Sequence, residues 1–250
     1  MTQHLTSWSF SRLTDFEDCK FRAYLKYIAK VPEPERPLPQ GKTEHANDRG
    51  SRIHQLAEDF VNGKLKQDDV PFELNKFTVE FLHMRNLFNE GKVDLEHEWG
   101  MSREWEIAPW KTAWNRSKLD AIVFTTPQTA VVIDYKTGRR FGNEFKHGQQ
   151  IQLYTLLAFL RYPELEEVTT ELWYLDQDEI ASMRMTRMQG LRFKHSFDQR
   201  GNRATTTTEF PPSPSIHTCK WCPYAESGDC KSSAKNAMFK GIPVTKQGRK

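Results

Sequence analysis

A mixed α/β fold is what this sequence predicts, on three observations. Short strand-like apolar segments fill the middle of the chain, a long apolar helical segment separates two of them, and helical spacing dominates the first third. The 250 residues are 37% hydrophobic, 28% charged and 12% aromatic, with no low-complexity stretch, which supplies a packed core and excludes wholesale disorder. The length suits one large domain, or one domain with appendages, better than two complete cores.

The elements follow in order. Ser9 or Ser11 can cap a helix running to about Ala29, with Leu13, Phe16, Tyr24 and Tyr27 roughly on one side and Cys19 inside it. The prolines of Val31 to Gln40 remove backbone donors and turn that stretch into a linker or surface loop. Helical spacing returns from about Glu44 to Asn62, through Ile53, Leu56, Ala57, Phe60 and Val61, and a second helix covers Leu74 to Phe88. After Gly91 strands begin. Glu104 to Ile107 alternates, and Leu119 to Phe124 and Ala130 to Tyr135 form a hairpin across a short Thr/Pro/Gln turn. Gly138 closes the second of these strands, Gln149 to Tyr162 is a long apolar helix, and Leu172 to Leu175 is a further strand. Arg184 to Phe210 is polar and gives no assignment, and Pro211 to Pro214 leads into a cysteine-rich tail.

The formal charge of +3 and pI of about 8.6 are too mild to identify a nucleic-acid binder, and leave room for an acidic pocket inside a basic rim. No run approaches the roughly 18 apolar residues of a membrane span, and Met1 to Phe10 lacks a basic start followed by an apolar core, so the expected location is cytoplasmic and no membrane partner is expected. Four cysteines are too few for a disulfide scaffold in a chain this long. A nucleotide-binding G-x-x-x-x-G-K-[ST] loop is absent, which excludes a helicase motor.

Asp134 and Lys136, two apart on one strand, share a face, and the hairpin can bring Asp120 beside Asp134. Neighbouring carboxylates repel unless a cation intervenes, and hard oxygen donors select Mg²⁺ or Mn²⁺. Phosphodiester hydrolysis needs such a cation together with a group that orients the attacking water, a role that fits the Lys136 ammonium. Taken alone, an Asp-x-Lys pair also reads as an exposed strand-end ion pair.

The neighbours distinguish the two readings. Asp120, then Val131 to Gly138 (VVIDYKTG), then Gln150 to Tyr154 (QIQLY) resemble the RecB-type nucleases of the PD-(D/E)XK superfamily, and Arg49 to Glu58 resembles that family's G-x-x-x-H helix. The resemblance implies a restriction-endonuclease-like core, a central mixed sheet flanked by helices. It implies a Mg²⁺- or Mn²⁺-dependent deoxyribonuclease acting on single-stranded DNA or duplex ends, working in recombination or repair with a helicase or recombination partner. Asp120, Asp134, His54 and the Tyr135 backbone carbonyl would be its metal ligands, and Asp120, Asp134, Lys136, Gln150 and Tyr154 its catalytic group. Without the motif, His54 is a structural histidine beside an apolar helix face, Gln150 a solvated residue on the helix surface and Tyr154 a ring packed into the core. Where the family carries glycine shortly before the first aspartate, this chain has Arg116-Ser117-Lys118-Leu119. Glu104 and Glu106 are either further ligands or an exposed strand face. A catalytically idle nuclease fold serving as a DNA-binding or assembly subunit is the alternative function, and it would be expected to lack an aspartate or the lysine.

Cys219, Cys222 and Cys230 form C-x2-C-x7-C, and soft thiolates select zinc or iron-sulfur clusters. A fourth ligand could come from Cys19, which would staple residues 1–30 to 211–235 within a single 1–250 domain; unliganded buried thiols are the remaining possibility. The arrangement resembles RecB-like iron-sulfur nucleases, among them the AddB nuclease domain and the CRISPR-associated exonucleases, in which one cysteine precedes the nuclease core and three follow it. That resemblance implies a [4Fe-4S] cluster on Cys19, Cys219, Cys222 and Cys230, with Zn²⁺ as the alternative. Lys20 stands where the family often has proline, and the seven-residue gap before Cys230 is longer than usual.

Overall fold

Alternating apolar residues in the middle of the chain build a sheet, and helices cover it. The computed structural model describes residues 4–35, 37, 38, 40–138 and 140–234, apart from the side chains of Glu96 and His97. In chain order these form α1 (Phe10–Asp18), α2 (Lys20–Ala23), a π-helical turn (Tyr24–Ile28), α3 (Ala46–Val61), a 3-10 helix (Phe72–Phe77) and α4 (Thr78–Asn89). There follow β1 (Val93–Met101), β2 (Asn115–Thr126), β3 (Thr129–Lys136), α5 (Glu144–Arg161), β4 (Glu167–Tyr174), β5 (Glu179–Thr186), α6 (Arg187–Leu191), α7 (Phe193–Thr206), α8 (Ile216–Lys220) and α9 (Pro223–Glu226). The mixed α/β expectation holds. Among the described residues no helix is long and apolar enough to cross a membrane.

The chain divides into two compact units, Leu38–Asp198 and Met1–Pro37 with Gln199–Lys250, the division falling inside α7. In the first, the sheet order is β1-β2-β3-β4-β5; only β3 and β4 are parallel, joined by the α5 crossover. Ile53, Ala57 and Phe60 of α3 and Phe81 and Met84 of α4 pack with Ala121, Val123, Ile133, Tyr135 and Trp173. Because strand side chains alternate, this leaves Asp134 and Lys136 on the opposite face of β3, toward α5, whose Ile151 packs with Leu172 and Tyr174 of β4.

Two expectations in this unit need correction. Glu104 to Ile107 is a reversal rather than a strand: Trp105 takes a left-handed φ of 67°, and Ile107 makes only an isolated bridge to Met101. The reversal places the Trp105 indole in the interior, where it donates to Asp198 at 3.0 Å, and the strand itself lies earlier, as β1. The helix expected from Leu74 starts as a 3-10 turn that becomes α-helical at Thr78.

In the second unit, the Ser9 side chain accepts from the Arg12 amide at 3.3 Å and caps α1, which buries Leu13 and Phe16. The expected continuous helix is broken at Cys19, whose φ of −161° and ψ of 109° are extended, so Cys19 sits between α1 and α2 rather than within a helix. Phe210 lies against Phe16 and Tyr24, Arg200 pairs with Glu17 at 2.8 Å, and the buried Tyr224 donates to the Val31 carbonyl at 3.0 Å. These contacts tie the first residues of the chain to its tail.

Candidate active site

The β2–β3 register pairs Ala121 with Ile133, so the adjoining positions, Asp120 and Asp134, are cross-strand neighbours. Both are buried. Asp120 accepts from the Tyr135 amide at 2.6 Å through Oδ2, and its Oδ1 lies 2.7 Å from Nδ1 of His54 on α3. The Lys136 ammonium is 2.5 Å from Asp134 Oδ2. That oxygen has no hydrogen bond of regular geometry although it is buried, so its partner is the lysine charge.

From α5, Gln150 accepts from Lys136 at 2.8 Å and donates to Asp134 Oδ1 at 3.2 Å and to the Tyr154 hydroxyl at 2.8 Å. Tyr154 donates onward to the Lys118 carbonyl at 3.1 Å. One helical turn separates Gln150 from Tyr154, which is why a single helix face can address both the lysine and β2. His54, Asp120, Asp134, Tyr135, Lys136, Gln150 and Tyr154 all line one open cavity. Glu104 and Glu106 do not line it; they are exposed in the Trp105 reversal, Glu104 accepting from Ser102.

Burial pushes the Asp120 carboxyl above the ordinary carboxylate range, and the charge of Asp134 adds to this, against the pull of His54 and the Tyr135 amide. Burial disfavours the His54 imidazolium, but its hydrogen bond to Asp120 and the two aspartate charges leave its pKa above the usual value. Asp120 and His54 therefore both hold protons more readily than isolated groups. Burial first, then Asp134, raises the Tyr154 phenol.

Among the described residues no three His, Cys, Asp or Glu side chains converge closely enough to hold a metal ion as they stand. The donor chemistry nevertheless fits a hard divalent cation. Two adjacent buried carboxylates, one pushed upward partly by the other, are faced by a single ammonium, and an added cation relieves their repulsion.

Sequence reasoning overlooked His147 and Asn143, which line the same cavity from α5 and the residue before it. The signal was present: positions 143, 147, 150 and 154 recur at three- and four-residue spacing on one helix face.

In the other unit, Cys19, Cys219, Cys222 and Cys230 are all free thiols and line one small cavity with Arg22, Leu25 and Tyr224. The Ala234 amide lies 3.5 Å from the Cys219 sulfur. Nearby backbone amides, of Ala225 and Tyr224 for Cys222 and of Ser232 for Cys230, favour the thiolates without offsetting burial. Burial raises both of those thiols, with the other cysteines raising Cys230 further and Arg22 drawing Cys222 down.

No curated protein matches this chain. Among solved structures it is similar to the crystal structure of SSO0001, at a TM-score of 0.42 and 14% identity, over 93% of this chain and 89% of that one. A sequence model of the PD-(D/E)XK nuclease superfamily matches residues 7–227, a span that contains the whole cavity around Asp120, Asp134 and Lys136. This chain belongs to the PD-(D/E)XK nuclease superfamily.

Proposed function

We propose that this protein is a Mg²⁺- or Mn²⁺-dependent deoxyribonuclease of the RecB-like type, an exonuclease or end-processing enzyme for single strands and duplex ends. The observation that carries the reading is the convergence of Asp120, Asp134, Lys136, His54 and Gln150 on one open cavity. Asp120 and Asp134, with His54 and the Tyr135 carbonyl, would hold the cation. When bound, it supplies the positive charge that polarises the phosphoryl group and activates water. Lys136, fixed between Asp134 and Gln150, orients that water and steadies developing negative charge. Gln150 and Tyr154 keep Lys136 and Asp134 in register, and His54 fixes the rotamer of Asp120.

The four cysteines fit a second group in this reading, a [4Fe-4S] cluster that staples the N-terminal helices to the tail of a single nuclease domain. The gathering of all four cysteines around one small cavity, with the Ala234 amide 3.5 Å from the Cys219 sulfur, supports this reading. DNA is the partner, and a helicase or recombination protein would supply unwinding.

The test is degradation of end-labelled single- and double-stranded DNA with Mg²⁺, Mn²⁺ or Ca²⁺, and after chelation. Loss of label with Mg²⁺ or Mn²⁺, none with Ca²⁺ and none with EDTA is expected. Undiminished cleavage after rigorous chelation overturns the mechanism.

A further inference from the structure

We propose that His147, held by Tyr174, is a further substrate-contacting residue that donates a hydrogen bond to a phosphate oxygen of the bound strand beside Lys136. This rests on the nuclease reading above. His147 shares the cavity-lining face of α5 with Gln150 and Tyr154. Its Nδ1 lies 2.6 Å from the Tyr174 hydroxyl. Tyr174 is buried at the end of β4, where the parallel ladder pairs it with Lys136, so the residue that fixes the imidazole is tied to the strand that carries the lysine.

The protonation pattern follows from the surroundings. Burial and the Lys136 charge hold the His147 pKa below its ordinary value, and burial keeps the Tyr174 phenol protonated. The phenol proton has no acceptor other than Nδ1 among the described residues, so the hydroxyl donates to Nδ1 and leaves Nε2 as the ring's N–H donor. No hydrogen-bond partner for Nε2 is present among the described residues. A neutral donor, oriented at one nitrogen and presented at the other in a cavity that already places a lysine for phosphoryl oxygens, matches a phosphate.

The experiment compares intact wild-type protein with His147→Ala, His147→Gln, Tyr174→Phe and the His147→Ala/Tyr174→Phe double variant. It reads KM and kcat on end-labelled DNA with Mn²⁺, and DNA affinity with Ca²⁺. His147→Ala should weaken affinity and raise KM by about 10- to 100-fold, the range for a hydrogen bond to a charged group, with kcat much less affected. His147→Gln, which keeps a donor, should recover part of the loss, and Tyr174→Phe should cost a few-fold alone but nothing in the His147→Ala background. Wild-type cleavage with unchanged KM and affinity in His147→Ala overturns the contact and leaves the nuclease reading standing, as does a Tyr174→Phe cost that persists without His147. A wild type that binds DNA more tightly than His147→Ala yet cleaves nothing supports the contact and overturns the nuclease reading.

Discussion

The Asp120 pair with His54 decides how the candidate site responds to pH. Both pKa values are raised, so the folded, metal-free protein holds these protons more tightly than the unfolded chain. The stability this contributes is complete below the unfolded values, about 3.9 for the aspartate and about 6.5 for the histidine, and is lost as pH rises through the raised folded values. Asp120→Asn keeps an acceptor for the Tyr135 amide and a donor for His54 while removing the charge. Thermal melts in chelator should show Asp120→Asn gaining on wild type as pH rises from about 5 to 9, and a gap that shrinks with pH would refute the assignment. For catalysis, Asp120→Ala, Asp134→Ala and Lys136→Ala should each lower kcat by at least about 100-fold, and Gln150→Ala by about 10- to 100-fold, in proteins that remain folded. Near-normal turnover in any of the first three, measured on end-labelled DNA, removes that residue from the mechanism. The two aspartates and the lysine were legible in sequence because strand alternation and a short hairpin are local. The Gln150 bridge between Lys136 and Asp134 was not, since it depends on where the crossover helix lands.

At the scale of elements, the central hairpin and α5 were legible and the edge strands were not. β1 and β5 border the sheet, and β5 is mostly exposed, so the alternation that marks β2 and β3 is diluted. α7 buries a narrow stripe of Phe197, Gly201, Ala204 and Thr205, small or polar residues that leave little apolar signal. Gly100 shows how tightly β1 closes on the loop after the Trp105 reversal. A Cβ there would lie 2.4 Å from the Ala108 carbonyl oxygen and 2.8 Å from Ala113 Cβ, and the first of these is backbone. Gly100→Ala should therefore destabilise the protein by about 1–3 kcal/mol or more, read as a lower midpoint in denaturant with an unchanged slope. An unchanged midpoint would show that the loop yields freely.

At the scale of the whole molecule, the cysteine group gives the clearest test of what joins the ends of the chain. Anaerobically purified protein should be brown, with about four iron atoms per chain, and alanine at Cys19, Cys219, Cys222 or Cys230 should bleach it and lower its melting temperature. Colourless anaerobic protein with about one zinc per chain would replace the cluster with a zinc staple, and metal-free protein of wild-type stability would remove both.

What the sequence by itself determined was the mixed α/β class, the central hairpin, and the face of β3 that carries Asp134 and Lys136. Those properties depend on side-chain periodicity over a few residues, which any segment displays without knowledge of the rest. Only the tertiary structure decided that His54, 66 residues before Asp120, meets its carboxylate, that Cys19 stands at an extended break between two helices, and that His147 shares the cavity. The first and last of those depend on packing between segments distant in sequence, where closing the intervening chain costs entropy that only the assembled core offsets.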